Sequence, residues 1–391
     1  MNAHSALPIT PDFDVWDPQS VADAITVENG ALVVTWAGGR MCHYHPLFLA
    51  ENDPSPEVLH PQSRETMLSP LDFPQDLAVT AADVAQNGAI CVHWSHGRQP
   101  SLFHPGWLSA HGWQESDLRQ KPVLWNSELA GPPAVDGPTA LQDPAIFRQW
   151  LIDLRNYGVA KLINLPDEDG ILVDIVSRIG VIRETNFGRT YTLAIKPDPD
   201  SNAYTSLPLP QHIDLPTREC PPGLQFLFCR ENTTTGGEGL YADGYRIAED
   251  LRREEPEHFH ALTTIAWTYN NRAKGNSYKA SGPVIELDEA GQIIGIRYNT
   301  WLRSPFVGPL EMQDRAYRSY RAFAARAQDP AYQLKVTYRS GELFAFDNRR
   351  ALHGRKGYDA GGGARFIEGV YSDRDELNSA IRTLDRQLAG G

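Results

Sequence analysis

Gln211-His212-Ile213-Asp214 sets an imidazole and a carboxylate two residues apart. On an extended strand, residues i and i+2 project from the same face, so His212 and Asp214 would leave one rigid element together. A second imidazole lies far along the chain, in Asp347-Asn348-Arg349-Arg350-Ala351-Leu352-His353-Gly354. His212, Asp214 and His353 would then form a two-histidine, one-carboxylate set. Such a set covers one face of Fe(II) and leaves the other open for oxygen chemistry. Arg365 follows His353 by twelve residues. A strand or hairpin returning past the metal would present its guanidinium to a dicarboxylate cosubstrate, which it can pair bidentately. An isolated H-x-D is equally the signature of a surface histidine beside a solvated aspartate. The distant histidine and the arginine after it, in that order, give the metal reading its weight.

The whole chain narrows the alternatives. Its 391 residues allow two domains, and 41% hydrophobic content allows a sizeable core. A net charge of −13 argues against a general nucleic-acid binder, which needs a basic stripe. Cys42, Cys91, Cys220 and Cys229 show no C-x-x-C spacing, so neither a zinc ribbon nor a redox pair is indicated. There is no run of about 18 apolar residues and no basic, apolar leader pattern. The expectation is a cytoplasmic protein with reduced thiols, free of membrane and nucleic acid.

Residues 1–130 read as a small β-rich domain. Ala24 to Trp36 flanks Asn29-Gly30 with apolar and β-branched residues, a hairpin signal. Ile90 to Trp94 repeats the idea. His45-Pro-Leu-Phe-Leu49 is echoed by Phe103-His-Pro-Gly-Trp-Leu108. The histidines of this region, His43, His45, His60, His93, His96, His104 and His111, read as packing and hydrogen-bonding residues rather than ligands. Residues 131–143, rich in Pro and Gly, read as a linker. Residues 144–391 form the second domain. Asp143-Pro144 starts a helix that Gly158 ends. Mainly strands follow, from Ile182–Ile195 through Leu224–Cys229 to Leu343–Phe346, with helices over Asp243–Phe259 and Asp314–Ala327. This mainly β pattern with flanking helices describes a double-stranded β-helix, or jelly roll. In the amphipathic segment Asp373–Leu388, Leu377, Ile381, Leu384 and Leu388 would pack on their own domain or form a homodimer contact.

From about residue 145 onward the chain resembles the γ-butyrobetaine hydroxylase branch of the Fe(II)/2-oxoglutarate dioxygenases, related to taurine dioxygenase. The phrases that carry this are Thr185-Asn-Phe-Gly-Arg-Thr-Tyr191, Tyr204-Thr-Ser206, His212-Ile-Asp214, Pro221-Pro-Gly223, Thr235-Gly-Gly237, Leu352-His-Gly-Arg355 and Arg365-Phe-Ile-Glu-Gly-Val-Tyr371. The resemblance implies iron on His212, Asp214 and His353. It implies 2-oxoglutarate on that iron with its far carboxylate on Arg365, O2 as the second cosubstrate, and stimulation by ascorbate. A Thr or Ser that often assists Arg365 in relatives falls on Gly239 here. The family encloses a trimethylammonium group in aromatic rings, matched by Phe187, Tyr191, Tyr204 and Tyr371. Each good cation–π contact contributes about 0.5–2 kcal/mol.

Two departures bear on the substrate. Carnitine-forming relatives have a Cys-rich zinc loop where this chain reads Leu49-Ala-Glu-Asn-Asp-Pro-Ser-Pro-Glu57, so no structural zinc is expected there. At the anionic end, Ser201 with Asn202 replaces one family Asn, while Asn299, with Arg303 behind it, matches another. A remodelled anion end leans toward [2-(trimethylammonio)ethyl]phosphonate, whose extra oxygens need extra donors. γ-Butyrobetaine, giving L-carnitine, is the alternative. In both, the attacked atom is the second carbon from nitrogen. Trimethyllysine, a sulfonate substrate without a cage, and a catalytically idle binding fold rank lower.

Overall fold

The computed structural model describes residues 6–113, 121–193, 205–273, 275–359 and 363–390. The chain divides into two compact units, with the change at residues 119 and 120. In the first unit, strands Ala22–Glu28 and Ala31–Trp36 pair around Asn29 and Gly30, whose φ values of 51° and 79° are left-handed. That backbone matches strand twist and suits Asn-Gly. Strand Arg40–Tyr44 and helix Pro46–Glu51 follow. Strands Val79–Val84, Ile90–Trp94 and Ser101–Phe103 then lead into helix Pro105–His111, repeating that order. The sequence echo marks the two helix starts. His45 accepts from Leu47 N at 3.1 Å, and His104 from Gly106 N at 3.1 Å, each ahead of a proline. Burial pushes the His104 imidazole below its usual range, keeping that acceptor free. The segment after Leu49 is tied by buried Asp53, which accepts from Arg98 at 2.7 Å and from Ser101 at 2.5 Å.

The second unit begins earlier than expected, and residues 131–143 are not a linker. Strand Ala134–Asp136 pairs parallel with Val159–Ile163, and Gly137–Gln142 is a helix whose Ala140 is fully buried. Pro and Gly here build a helix start instead of a break. Asp136 caps it, Pro138 sits in its first turn, and a Cβ on Gly137 would lie 2.4 Å from Leu165.

Two sheets follow. The larger orders Ala134–Asp136, Val159–Ile163, Glu342–Asp347, Leu224–Asn232, Arg365–Ser372 and Tyr191–Leu193. The smaller orders Leu209–His212, Ala351–Arg355, Gly239–Asp243 and Gln333–Val336. Alternation explains why they stack. Leu227 and Cys229 point inward to Tyr241, Phe344, Phe346 and Ile367 between the sheets. Phe226 and Phe228 point outward to helix Pro144–Tyr157 and helix Ile171–Ser177. The outer side of the smaller sheet, through Ala242 and Leu352, is covered by helices Gly244–Glu254, Pro256–Thr264 and Leu310–Gln328. This is the expected double-stranded β-helix with its separate β-rich N-terminal unit.

Some boundaries differ. The expected helix Asp243–Phe259 is broken at Pro256, which cannot donate to the preceding turn. The expected strand Ile182–Ile195 contracts, within the described residues, to Tyr191–Leu193 after a turn at Gly188. In helix Arg374–Gly390, Leu377 and Ile381 are buried and Leu384 packs against the same helix-covered core. Of that stripe, Leu388 is markedly exposed. Among the described residues, no helix is long and apolar enough to cross a membrane.

Candidate metal centre

His353 lies on the middle of strand Ala351–Arg355, directly opposite His212 on one neighbour and Tyr241 on the other. The two imidazoles are cross-strand partners with ring centroids 4.2 Å apart. The sequence reading put Asp214 on the same strand as His212. The strand ends at His212, and Asp214 lies in the bend beyond it, next to Leu215 with φ of 53°. Tertiary hydrogen bonds replace the ladder there. Asn348, fully buried, accepts from Asp214 N at 2.8 Å and donates to Asp214 O at 3.0 Å. Ile213 N donates to Tyr298 O at 2.8 Å. The result brings Asp214 Oδ1 to 3.2 Å from His212 Nε2 and 3.5 Å from His353 Nε2.

The donors are prepared for a cation. His212 Nδ1 donates to the Pro210 carbonyl at 2.9 Å, leaving the Nε2 lone pair toward Asp214. Burial, and then the neighbouring His212, push the His353 imidazole below its usual range and keep it neutral. Burial opposes ionisation of Asp214, but the two histidines outweigh it and hold the carboxyl well below its usual range. Tyr371 donates to the outer oxygen, Asp214 Oδ2, at 2.7 Å. Burial and that carboxylate hold the phenol protonated, so it remains a donor. Two imidazole nitrogens and one carboxylate oxygen, converging from one side, fit Fe(II).

Residues 119–371 match the family model described as taurine catabolism dioxygenase TauD, TfdA family. Residues 24–109 match the γ-butyrobetaine hydroxylase-like N-terminal model. The chain belongs to the γ-butyrobetaine hydroxylase-like branch of the TauD/TfdA dioxygenases. It is similar to a γ-butyrobetaine dioxygenase of Pseudomonas sp. (strain AK-1), at 37% identity over 94% of this chain and 96% of that one. The γ-butyrobetaine dioxygenase of Homo sapiens is 30% identical over 68% of this chain and 70% of that one. The mitochondrial trimethyllysine dioxygenase of Bos taurus is 29% identical over 72% and 69%. The chain is thus an Fe(II)- and 2-oxoglutarate-dependent dioxygenase.

In this dioxygenase Arg365 is anchored by a hydrogen bond to Gly237 O at 3.1 Å and lies over the rings of Tyr358 and Tyr338. Gly239, the position of the missing hydroxyl, has no room for one. A Cβ there would lie 2.9 Å from Tyr241 and 3.0 Å from the Tyr338 hydroxyl. The hydroxyls of Tyr241 and Tyr338 meet each other at 2.5 Å in that space.

Of the residues expected to form a cage, Tyr191 stacks on Tyr371 with centroids 5.1 Å apart, and Phe187 is 6.4 Å from Tyr191. Gly369 makes this possible, because a Cβ there would lie 2.3 Å from the Tyr191 ring. Gln225 fixes the ring by donating to its hydroxyl at 2.6 Å. Ser201, Asn202 and Tyr204 lie outside the described residues. The two other expected anion contacts have partners of their own. Asn299 is buried, its amide donating to Ile213 O at 3.3 Å and accepting from Trp301 N and Leu302 N. It positions the backbone between the iron ligands. Arg303 stacks over Tyr320 at 3.9 Å and Trp267 at 4.4 Å, inside an aromatic cluster of the helical layer.

Sequence reasoning missed the role of Asn348 and the place of Trp301, whose ring is 4.5 Å from that of His212. Neither has a local signature, since each acts across a long sequence separation. Asn348→Ala would lower iron affinity by roughly 10- to 100-fold, the usual effect of removing a partner that orients a ligand. Iron titration of the metal-free variant checks this, and wild-type affinity would deny Asn348 the role.

Proposed function

We propose that this dioxygenase hydroxylates the second carbon from nitrogen in a small trimethylammonium zwitterion, with γ-butyrobetaine ahead of its phosphonate counterpart. The observation that carries the reading is the ring pair Tyr191–Tyr371 beside the iron ligands, with Phe187 next to it. Aromatic faces attract a quaternary ammonium, which cannot donate a hydrogen bond. Holding that group would leave a carbon at a fixed reach from the metal. Iron with 2-oxoglutarate and O2 supplies the oxidising chemistry when bound. The chain holds the carboxylate ligand by Asn348 and Tyr371, offers Arg365 to the far carboxylate of 2-oxoglutarate, and excludes water with buried rings.

The order of the two substrates differs from the sequence expectation for a physical reason. The phosphonate reading relied on extra donors at the anion end. Asn299 bonds backbone and Arg303 lies over aromatic rings, which lessens the weight of their donors and shifts that argument toward Ser201 and Asn202. The similarity to one γ-butyrobetaine dioxygenase over 94% of the chain supports the carboxylate.

Formation of succinate with Fe(II), ascorbate and O2 at matched concentrations of the two zwitterions tests the order. Faster coupled turnover of γ-butyrobetaine is expected. Faster turnover of the phosphonate would reverse the order and give the donor role to Ser201 and Asn202. Tyr191→Leu should raise KM for the trimethylated substrate about 2- to 30-fold, corresponding to the cation–π range, whereas Tyr191→Phe should keep most of the affinity. Equal KM values in Leu and Phe variants would remove Tyr191 from the cage.

A further inference from the structure

The N-terminal unit holds a second convergence of ligand-type side chains. Cys91 and His93 stand two apart on strand Ile90–Trp94 and project from its outer face, because Ile90, Val92 and Trp94 are buried on the inner one. Asp83, on strand Val79–Val84, is directly opposite Cys91 in the ladder. Opposite His93 stands Ala81, whose small side chain leaves the imidazole room to lean toward Asp83. His93 Nε2 is 3.3 Å from Asp83 Oδ2 and 3.7 Å from Cys91 Sγ. One donor atom from each of the three lies within 4.8 Å of the others.

These separations are those of a metal's coordination edges. Zinc bonds of about 2.3 Å to sulfur and about 2.0–2.1 Å to nitrogen and oxygen, at tetrahedral angles, separate S and N by about 3.6 Å and N and O by about 3.3 Å. An ion pair alone would explain His93 with Asp83, and on an open surface it stabilises little. It would not explain a thiol on the third corner. The donor set mixes thiolate, imidazole and carboxylate, which favours zinc over magnesium or calcium.

We propose that Asp83, Cys91 and His93 bind a Zn(II) ion on the outer face of this hairpin, with water in the fourth position. The side chains of His93 and Asp83 are 41% and 64% exposed, so the ion can enter from solvent. The site is on the opposite face of the sheet from Asp53 and Ser101, and so is separate from the Leu49–Glu57 segment where relatives carry a Cys-rich loop. Binding would staple two adjacent strands. It would also release the thiol proton, which burial and Asp83 otherwise retain.

Cobalt(II) titration of the full, metal-free chain tests this, because a cobalt–thiolate bond gives a charge-transfer absorption that the His212–Asp214–His353 set cannot produce. The expected result is one such band per chain, bleached by zinc. It should persist in Asp214→Ala and disappear in Cys91→Ser and His93→Ala. Thermal melts of the metal-free Cys91→Ser chain should match the parent, since the side chain lies on the outer face. No thiolate band, or a band that survives Cys91→Ser, would overturn the proposal. Loss of the band with an unfolded chain would be separated by His93→Ala, which leaves the thiol in place.

Discussion

Asp214→Ala should abolish succinate formation and leave the purified chain without tightly held iron. The carboxylate is the only anionic member of the His212, Asp214 and His353 set. Its Oδ1 lies between both imidazole nitrogens, at 3.2 and 3.5 Å. Removing it leaves two neutral imidazoles and a Tyr371 hydroxyl that has lost its acceptor. The loss of iron affinity should therefore exceed the roughly 10- to 100-fold expected for an outer partner such as Asn348. Iron analysis after desalting and a succinate assay at saturating Fe(II) separate weak binding from failed chemistry. Retained turnover would take Asp214 out of the ligand set. The backbone bonds to Asn348 survive the substitution, so the fold should be kept.

The largest stability change is expected at a buried ion pair. Asp243 and Arg350 are both essentially inaccessible and are paired twice, at 3.0 and 2.9 Å. Two further guanidinium hydrogens go to the carbonyls of Asn156 and Val123. Asp243 also accepts from Tyr245 N and Trp125 N. Asp243→Ala leaves a buried cation without its anion. The expected destabilisation is about 3–5 kcal/mol, or a fall in melting midpoint of roughly 10 °C for a domain of this size. Asp243→Leu combined with Arg350→Met should recover much of it, because desolvation of both charges is then avoided. A single variant that melts with the parent would show the pair to be dispensable.

The candidate metal ligands and the jelly roll were legible because spacing, chain order and strand alternation are written in the sequence. Strand alternation separates Leu227 and Cys229 from Phe226 and Phe228, and it shows directly in residue order. Asn29-Gly30 specified its turn by backbone preference, and Asp143 with Pro144 specified a helix start. His212 and Asp214 were found by spacing, although the rigid element that holds Asp214 is not the strand that spacing suggested.

The tertiary structure decided what depends on partners far along the chain. Asn348 reaches Asp214 across 134 positions, and Asn299 reaches Ile213 across 86. No periodicity records such bonds. Arg303 reads in sequence only as a cation, and the fold lays its guanidinium over neighbouring rings from a helix. Residues 131–143 had a linker's composition, yet hydrogen bonds to Val159–Ile163 make part of them a sheet edge. Cys91, His93 and Asp83 were unremarkable in sequence and converge only because the register of a hairpin sets them side by side. Sequence by itself determined which faces are apolar and which side chains can bind a metal. Packing decided which polar groups remain free to bind anything, because a buried donor or acceptor must be satisfied by whatever the fold brings within reach.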